Sequence, residues 1–466
     1  NLMENYMVDI LKSFNDLLWG LPLILAIAGT GIYISIKTQA IQFRKLGYAL
    51  KNTLGKIFEK NSHHAKGDIS PFGALATALA ATVGTGNIVG VSLAIILGGP
   101  GAIFWMWIAA LLGMATKFSE VTLAVTYREK KNGKYVGGPM YYIEKGLNNK
   151  KLAKTFAIFA GIAVFGIGNS TQSNAISGVL KDTFGVNTII SGIILSIIAG
   201  VVIVGGINSI TKVTEKLVPL MSLLYILGCL WILFLNKANI LPAFKSIFLG
   251  AFSPKSLGGS FAGLSVKAVI SAGVARGVFT NEAGLGSSPM AHACATTDHP
   301  IRQGLWGISE VFVDTIIICT MTALVILSTN VDITDTHNAA SLVARAFATG
   351  SSFGNIIVCV GLSLFALSTI LGWAYYGETA LTYLFGDKII IPYRILYVIF
   401  VFVGANIDLG VAWIVANILN GFMALPNLFA VVTLSPVVVK LSKDFFKNPE
   451  KIRKSPEEYK SCIEIK

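Results

Sequence analysis

The chain has 466 residues, 54% of them hydrophobic and 13% charged, with a mean hydropathy of +0.69. Those values exclude a soluble globular domain and read as an integral membrane protein. A net charge of +13 would point to nucleic acid in a soluble chain, but here the Lys and Arg sit in short polar stretches between apolar runs, the positive-inside pattern, so no nucleic-acid partner is expected.

In chain order, hydropathy predicts eleven membrane spans near 17–36, 69–97, 101–126, 156–179, 188–207, 217–235, 261–296, 304–328, 354–385, 390–405 and 410–440. The first is long enough to cross and is followed by basic residues, so it reads as a retained helix rather than a cleaved signal. Seven Lys/Arg from Lys37 to Lys66 face only Glu59 and Asp68, and eight from Arg128 to Lys154 face only Glu129 and Glu144. Both stretches are expected in the cytoplasm, which places the N-terminus outside and the C-terminal tail, with eight Lys/Arg from Lys440 onward, inside. The expectation is a multi-pass protein of the cell membrane, surrounded by membrane lipid.

The second span, Ser70 to Leu97, carries Val83-Gly84-Thr85-Gly86-Asn87 near its middle. Each glycine costs about 1 kcal/mol of helix relative to alanine. A broken membrane helix survives only where its freed N–H and C=O groups face protein or a wet cavity. The pattern therefore predicts a discontinuous helix whose opened turn is a binding site. A packing seam through Gly86 and Gly90, a GxxxG pair, is the alternative reading. The spacing is GxGxxxG with no surrounding strand, which excludes a dinucleotide fingerprint. Gly98-Gly99-Pro100 then turns the chain directly into the third span, making a helical hairpin.

Span seven is interrupted as well, through Val278-Phe279-Thr280-Asn281-Glu282-Ala283-Gly284-Leu285-Gly286-Ser287-Ser288-Pro289. Span two starts inside and span seven, five helices later, starts outside. Each would open one of two inverted five-helix halves, 68–236 and 237–440, with 1–67 before them and a basic tail, 441–466, after them. Interrupted helices at corresponding places in two halves point to the midplane site of a secondary transporter.

The run Gly98-Gly99-Pro100-Gly101-Ala102-Ile103-Phe104-Trp105-Met106-Trp107-Ile108-Ala109-Ala110-Leu111-Leu112-Gly113 resembles the signature of the alanine/glycine:cation symporter family. Thr280 to Pro289 resembles that family's second characteristic stretch, and span count and length fit as well. The resemblance implies sodium- or proton-coupled uptake of alanine or glycine, with D-alanine a further candidate and no organic cofactor. It also implies an all-α, leucine-transporter-like fold of 5+5 inverted repeats with one extra N-terminal helix. Sodium-coupled members of that fold have a similar first break, Val-Gly-small-Gly-Asn. By that likeness the substrate carboxylate falls on the N–H groups of Thr85 and Gly86, and Na⁺ on backbone oxygens of Ala80 and Val83. The matching helix supplies a neighbouring Ser/Thr pair, here Ser368 and Thr369.

The chemistry of a zwitterionic amino acid agrees with a site of that kind. The helix N-terminus after Thr85 offers N–H groups and the positive dipole end for a carboxylate, while opened carbonyls accept from an ammonium or ligate a cation. The Ser368 and Thr369 hydroxyls are hard oxygen ligands suited to Na⁺, or they back-bond to their own helix. Phe165, Phe279 and Trp373 are candidate walls, Thr280 borders the second break, and Gln172 is a candidate donor to the carboxylate. Asn87, Arg276 and Glu282 flank the breaks as gating or coupling residues, and the last two leave proton coupling open. Lys117 with Glu120, and Glu310 with Asp314, read as structural pairs or gate residues. Cys229, Cys294, Cys319, Cys359 and Cys462 show no paired spacing, and His63, His64, His292 and His299 make no HExxH or Ser-His arrangement, so no enzyme is expected. A channel would want a pore-lining ring of like residues, and the spans carry none.

Overall fold

The computed structural model describes residues 2–57, 66–257, 263–333, 339–350, 353–407 and 410–453. Among the described residues, eight helices are long and apolar enough to cross a membrane: Val8–Lys37, Gly101–Thr126, Lys150–Phe184, Gly206–Leu235, Pro300–Ser328, Gly354–Phe385, Asp387–Asn406 and Ile414–Thr433. Span five, Thr188–Ile203, is shorter, and the other two expected spans are interrupted: Pro71–Thr82 with Val89–Gly98, and Val266–Asn281 followed by Pro289–His292.

Burial explains which helices stand where. Every residue from Gly73 to Thr82 is buried, so the first half of span two is enclosed on all sides. Spans five, six and ten instead leave Ile193, Ile197, Leu223, Leu227, Ile395 and Ile399 exposed, as lipid-facing helices must. The first interrupted helix is thus enclosed in the centre of the molecule, while spans five, six and ten lie at its rim.

The two interrupted spans run antiparallel. Where span two begins, Thr296 N–H donates to Ile69 O at 2.7 Å, Thr297 N–H to Lys66 O at 3.1 Å and Asp68 N–H to Cys294 O at 2.8 Å, so its start adjoins the end of span seven. At the opposite face Gly98 lies against Ala272 and Val269, near the start of span seven. Arg128, at the end of span three, ties the first of these joins by donating to Ala293 O at 3.0 Å, Ala295 O at 2.7 Å and Lys66 O at 2.8 Å. This is the inversion expected from the paired interruptions.

Three details differ from the hydropathy reading. Span eleven stops at Thr433 rather than 440, because Pro436 opens a separate amphipathic helix, Ser435–Lys447, that buries Val437, Val438, Leu441 and Phe445. The basic loop after span three folds into a short hairpin, Glu129–Lys131 against Lys134–Val136. Helices Ile240–Phe252 and Ala339–Ala348 lie in what reads as connecting sequence.

Candidate functional site

Ser70 caps the first half of span two, its Oγ accepting from Gly73 N–H at 2.8 Å and donating to Glu215 Oε1 at 2.6 Å. The helix ends at Val83, whose ψ of 87° takes the backbone out of the helical region. One 3₁₀ turn, Thr85–Asn87, precedes the second half. Some freed groups find side chains: Gly84 N–H donates to Asn87 Oδ1 at 3.0 Å, and Thr322 Oγ1 donates to Asn87 O at 2.8 Å. The N–H groups of Thr85 and Gly86 find no acceptor among the described residues. They stand at the N-terminal end of the second half-helix, where the dipole favours negative charge.

Span nine brings oxygen ligands to the same turn. Ser368 Oγ lies 3.1 Å from Ala80 O, 3.5 Å from Val83 O and 2.8 Å from Phe365 O of its own helix. Thr369 Oγ1 donates to Phe365 O at 3.1 Å and occupies the space a Cβ on Gly84 would need. Ala80, Val83, Ser368 and Thr369 therefore converge, with both hydroxyls almost completely buried. All their donors are hard oxygens, the set a small alkali cation prefers.

Span seven stays helical to Asn281 and then opens. Glu282 adopts a left-handed φ of 55°, followed by Gly284 at 91° and Gly286 at 82°. The opened amides are met by side chains: Asn281 Oδ1 accepts from Ala283 N–H at 3.0 Å, and Glu120 Oε1 accepts from Gly284 N–H at 3.1 Å. Asn427 Nδ2 donates to Gly284 O at 2.8 Å.

Beside the first break lies a cavity of about 230 Å³, away from the face that carries the basic loops, with Thr85, Gly86, Gly90, Thr171, Arg276 and Phe279 in its wall. It shares Val89, Asn174 and Ala175 with a wider vestibule of about 700 Å³. Thr280 stands behind Gly86, its Cγ2 2.9 Å from where a Cβ on that glycine would be. Gln172 donates from Nε2 to Ile167 O at 3.1 Å, while its buried Oε1 is unpaired and points toward Gly84. The free atom is an acceptor, not the donor expected for a carboxylate.

Phe165 and Trp373 lie elsewhere than expected. Phe165 packs against Phe400, Tyr393 and Tyr397 of span ten, with ring centroids 4.9, 5.8 and 6.0 Å away. The reason is a π-helical turn, Gly166–Ser170, whose i→i+5 bonding takes more residues per turn and breaks the phase that would have put Phe165 and Gln172 on one face. Trp373, one turn beyond Thr369 toward the basic face, donates from Nε1 to Glu282 Oε1 at 2.9 Å and stacks edge-on with Tyr376. It is not among the residues that wall the cavity. Glu282 also accepts from Ser287 Oγ. Arg276 faces the cavity and does not meet Glu282.

The expected charge pairs do not form. Lys117 Nζ lies 3.2 Å from Glu310 Oε1 and donates to Ser288 Oγ at 2.7 Å, not to Glu120. Glu310 Oε2 is 3.0 Å from His292 Nε2, and Gln303 Nε2 is 2.8 Å from His292 Nδ1. Glu120 instead accepts from Asn427 Nδ2 at 2.5 Å. Asp314, inside a second π-turn, Phe312–Cys319, accepts from Asn87 Nδ2 and from Thr315 Oγ1, both at 2.7 Å, and so belongs to the first break. Residues three or four apart share a helix face, but that face meets several neighbours in a bundle, and each charge takes the nearest complementary group. An acid beside a threonine in an apolar span was the sequence signal for Asp314. Cys229, Cys294, Cys319 and Cys359 are buried and unpaired. Cys462, His63 and His64 lie outside the described residues.

The model of the sodium:alanine symporter family matches residues 3–460. The sodium/alanine symporter AgcS of Methanococcus maripaludis is 46% identical over 447 residues, covering 94% of this chain and 97% of that protein. An uncharacterized transporter of Haemophilus influenzae is also 46% identical, over 442 residues, covering 94% and 96%. Among solved structures, that of MhsT in complex with L-phenylalanine superimposes with a TM-score of 0.50 at 12% identity, covering 80% of this chain and 98% of the other, which is a likeness of fold.

Proposed function

This chain belongs to the sodium:alanine symporter family, and from that premise we propose that it carries small neutral amino acids, alanine and glycine, into the cell with Na⁺ by alternating access. The observation that supports this most directly is the convergence of Ala80 O, Val83 O, Ser368 and Thr369 on the turn whose Thr85 and Gly86 N–H groups are free. In this reading Na⁺ sits among the four oxygens and the substrate carboxylate caps the two N–H groups. Gln172 Oε1 accepts from the ammonium. The face with the basic loops is cytoplasmic, so the cavity opens outward. Trp373 with Glu282, and the join of 66–69 with 293–297, close the inner side. The halves 68–236 and 237–440 are the two repeats that exchange access.

A second reading, proton coupling, rests on Glu282 and Asp314, buried carboxylates with no cationic side chain within 4 Å among the described residues. Uptake of labelled alanine and glycine into proteoliposomes, with Na⁺ and H⁺ gradients imposed separately, decides between them. Accumulation driven by Na⁺ alone is the expected result, and downhill flux with neither gradient having any effect would refute symport.

The ion site makes its own prediction. In a double Ser368→Ala, Thr369→Val variant the Na⁺ concentration for half-maximal alanine binding is expected to rise at least tenfold, about 1.4 kcal/mol. Saturating Na⁺ should restore much of the affinity, because coupling is reciprocal and the carboxylate site is intact. Alanine binding titrated against Na⁺ at constant ionic strength checks this, and an unchanged midpoint would remove the pair from the ion site.

A further inference from the structure

The cavity contains one charge that the symport reading leaves unused. Arg276 is the sole charged residue in its wall, is only partly exposed, and has no hydrogen bond or carboxylate partner among the described residues. Two of the other polar side chains there are committed: Thr171 Oγ1 donates to Gly166 O at 2.8 Å, and Asn174 Nδ2 donates to Gly404 O at 3.0 Å and Ile407 O at 2.9 Å. A guanidinium has five N–H donors and cannot shed its charge, and one that lines a cavity without a protein partner is available to an anionic ligand that enters it.

Its position says which ligand group that would be. Arg276 is four residues before Thr280 on the same helix face. Thr280 Cγ2 stands 2.9 Å from the Cβ position on Gly86 and 3.8 Å from that on Gly90. Arg276 therefore lies one turn above the free N–H groups of Thr85 and Gly86, across from a stretch of span two that has no side chain at 86 or 90. The space left by the two glycines is bounded by a guanidinium above and two amide N–H groups below. Both ends want an anion, and the planar fork of arginine matches a carboxylate.

We propose that Arg276 is a substrate-contacting residue, its guanidinium receiving the carboxylate of the incoming amino acid on the vestibule side of the first break and holding it as it settles onto Thr85 and Gly86. The proposal rests on the symport reading and assigns the carboxylate a side-chain partner in addition to backbone. It also gives the cavity a preference: ligands of the same size without a carboxylate gain nothing from Arg276.

The test compares alanine with alaninamide, which differ only in that group, by competition binding to purified protein in saturating Na⁺ and chloride-free methanesulfonate buffer. In Arg276→Gln, alanine affinity is expected to fall at least about tenfold, while alaninamide competes no worse than against wild type. Should Arg276→Gln not purify as folded protein, Arg276→Lys, which keeps the charge but loses the fork, is expected to weaken alanine by a smaller factor, about threefold. Alanine affinity within twofold of wild type, or alanine and alaninamide weakened by one common factor, would overturn the proposal. So would competition between chloride and alanine that the variant abolishes while its alanine affinity in methanesulfonate stays normal, since the guanidinium would then hold a free inorganic anion. Wild-type protein that fails to bind alanine in Na⁺ would instead refute the symport reading.

Discussion

Gly86→Leu is expected to abolish alanine binding while leaving a folded, detergent-stable protein. A Cβ at this position would stand 2.9 Å from Thr280 Cγ2 and 3.4 Å from Phe279 Cδ1, already tighter than ordinary contact, and three further carbons must go into the cavity or into span seven. In the cavity they cover the Thr85 and Gly86 N–H groups. Against span seven they push the two breaks apart, at about 1–3 kcal/mol for overpacking. Either way the carboxylate loses its place, because only a residue without a side chain lets a ligand approach the backbone this closely. Na⁺-dependent binding to the purified variant, read beside its thermal unfolding midpoint, is the measurement. Unchanged alanine affinity would show that the opened turn is a packing seam of the Gly86/Gly90 kind and not the substrate site.

Lys117→Met is expected to be the most destabilising single change in the buried charge network, by about 3–5 kcal/mol. Lys117 and Glu310 have no solvent-exposed surface, and among the described residues the lysine is the only Lys or Arg within 4 Å of that carboxylate, with His292 at 3.0 Å on its other oxygen. Methionine fills nearly the same volume, so the loss reports the stranded charge and not a cavity. Glu310→Gln in the same chain keeps an acceptor for His292 and removes the charge, so the double variant should recover much of the lost stability. Unfolding midpoints of the two single variants and the double give the coupling between the sites. Additive losses would mean that the pair contributes no interaction of its own. Transport by the double variant would further show that the pair is structural rather than part of the gate.

Much of the architecture was legible in advance. Spans were legible because transfer into hydrocarbon is summed over about 20 neighbouring residues, a local quantity. The two interruptions were legible because glycine and polar groups weaken a helix wherever they occur in it, and their inversion followed from counting helices between them. The convergence of Ser368 and Thr369 on Ala80 was carried by resemblance to a family, since nothing in periodicity relates span nine to span two.

What the sequence by itself determined, then, is the membrane class, the eleven spans, the broken turns at Val83–Asn87 and after Asn281, and the family. Tertiary structure alone decided the partners: Lys117 with Glu310 and not Glu120, Asp314 with Asn87, Trp373 with Glu282, and Arg276 left facing a cavity. It also turned Phe165 away from Gln172 through one π-turn. The physical reason is range. Hydropathy and helix propensity act within a turn or two of the chain, whereas a buried charge or an aromatic ring is placed by whichever helix lies against it, and that depends on every other helix in the bundle.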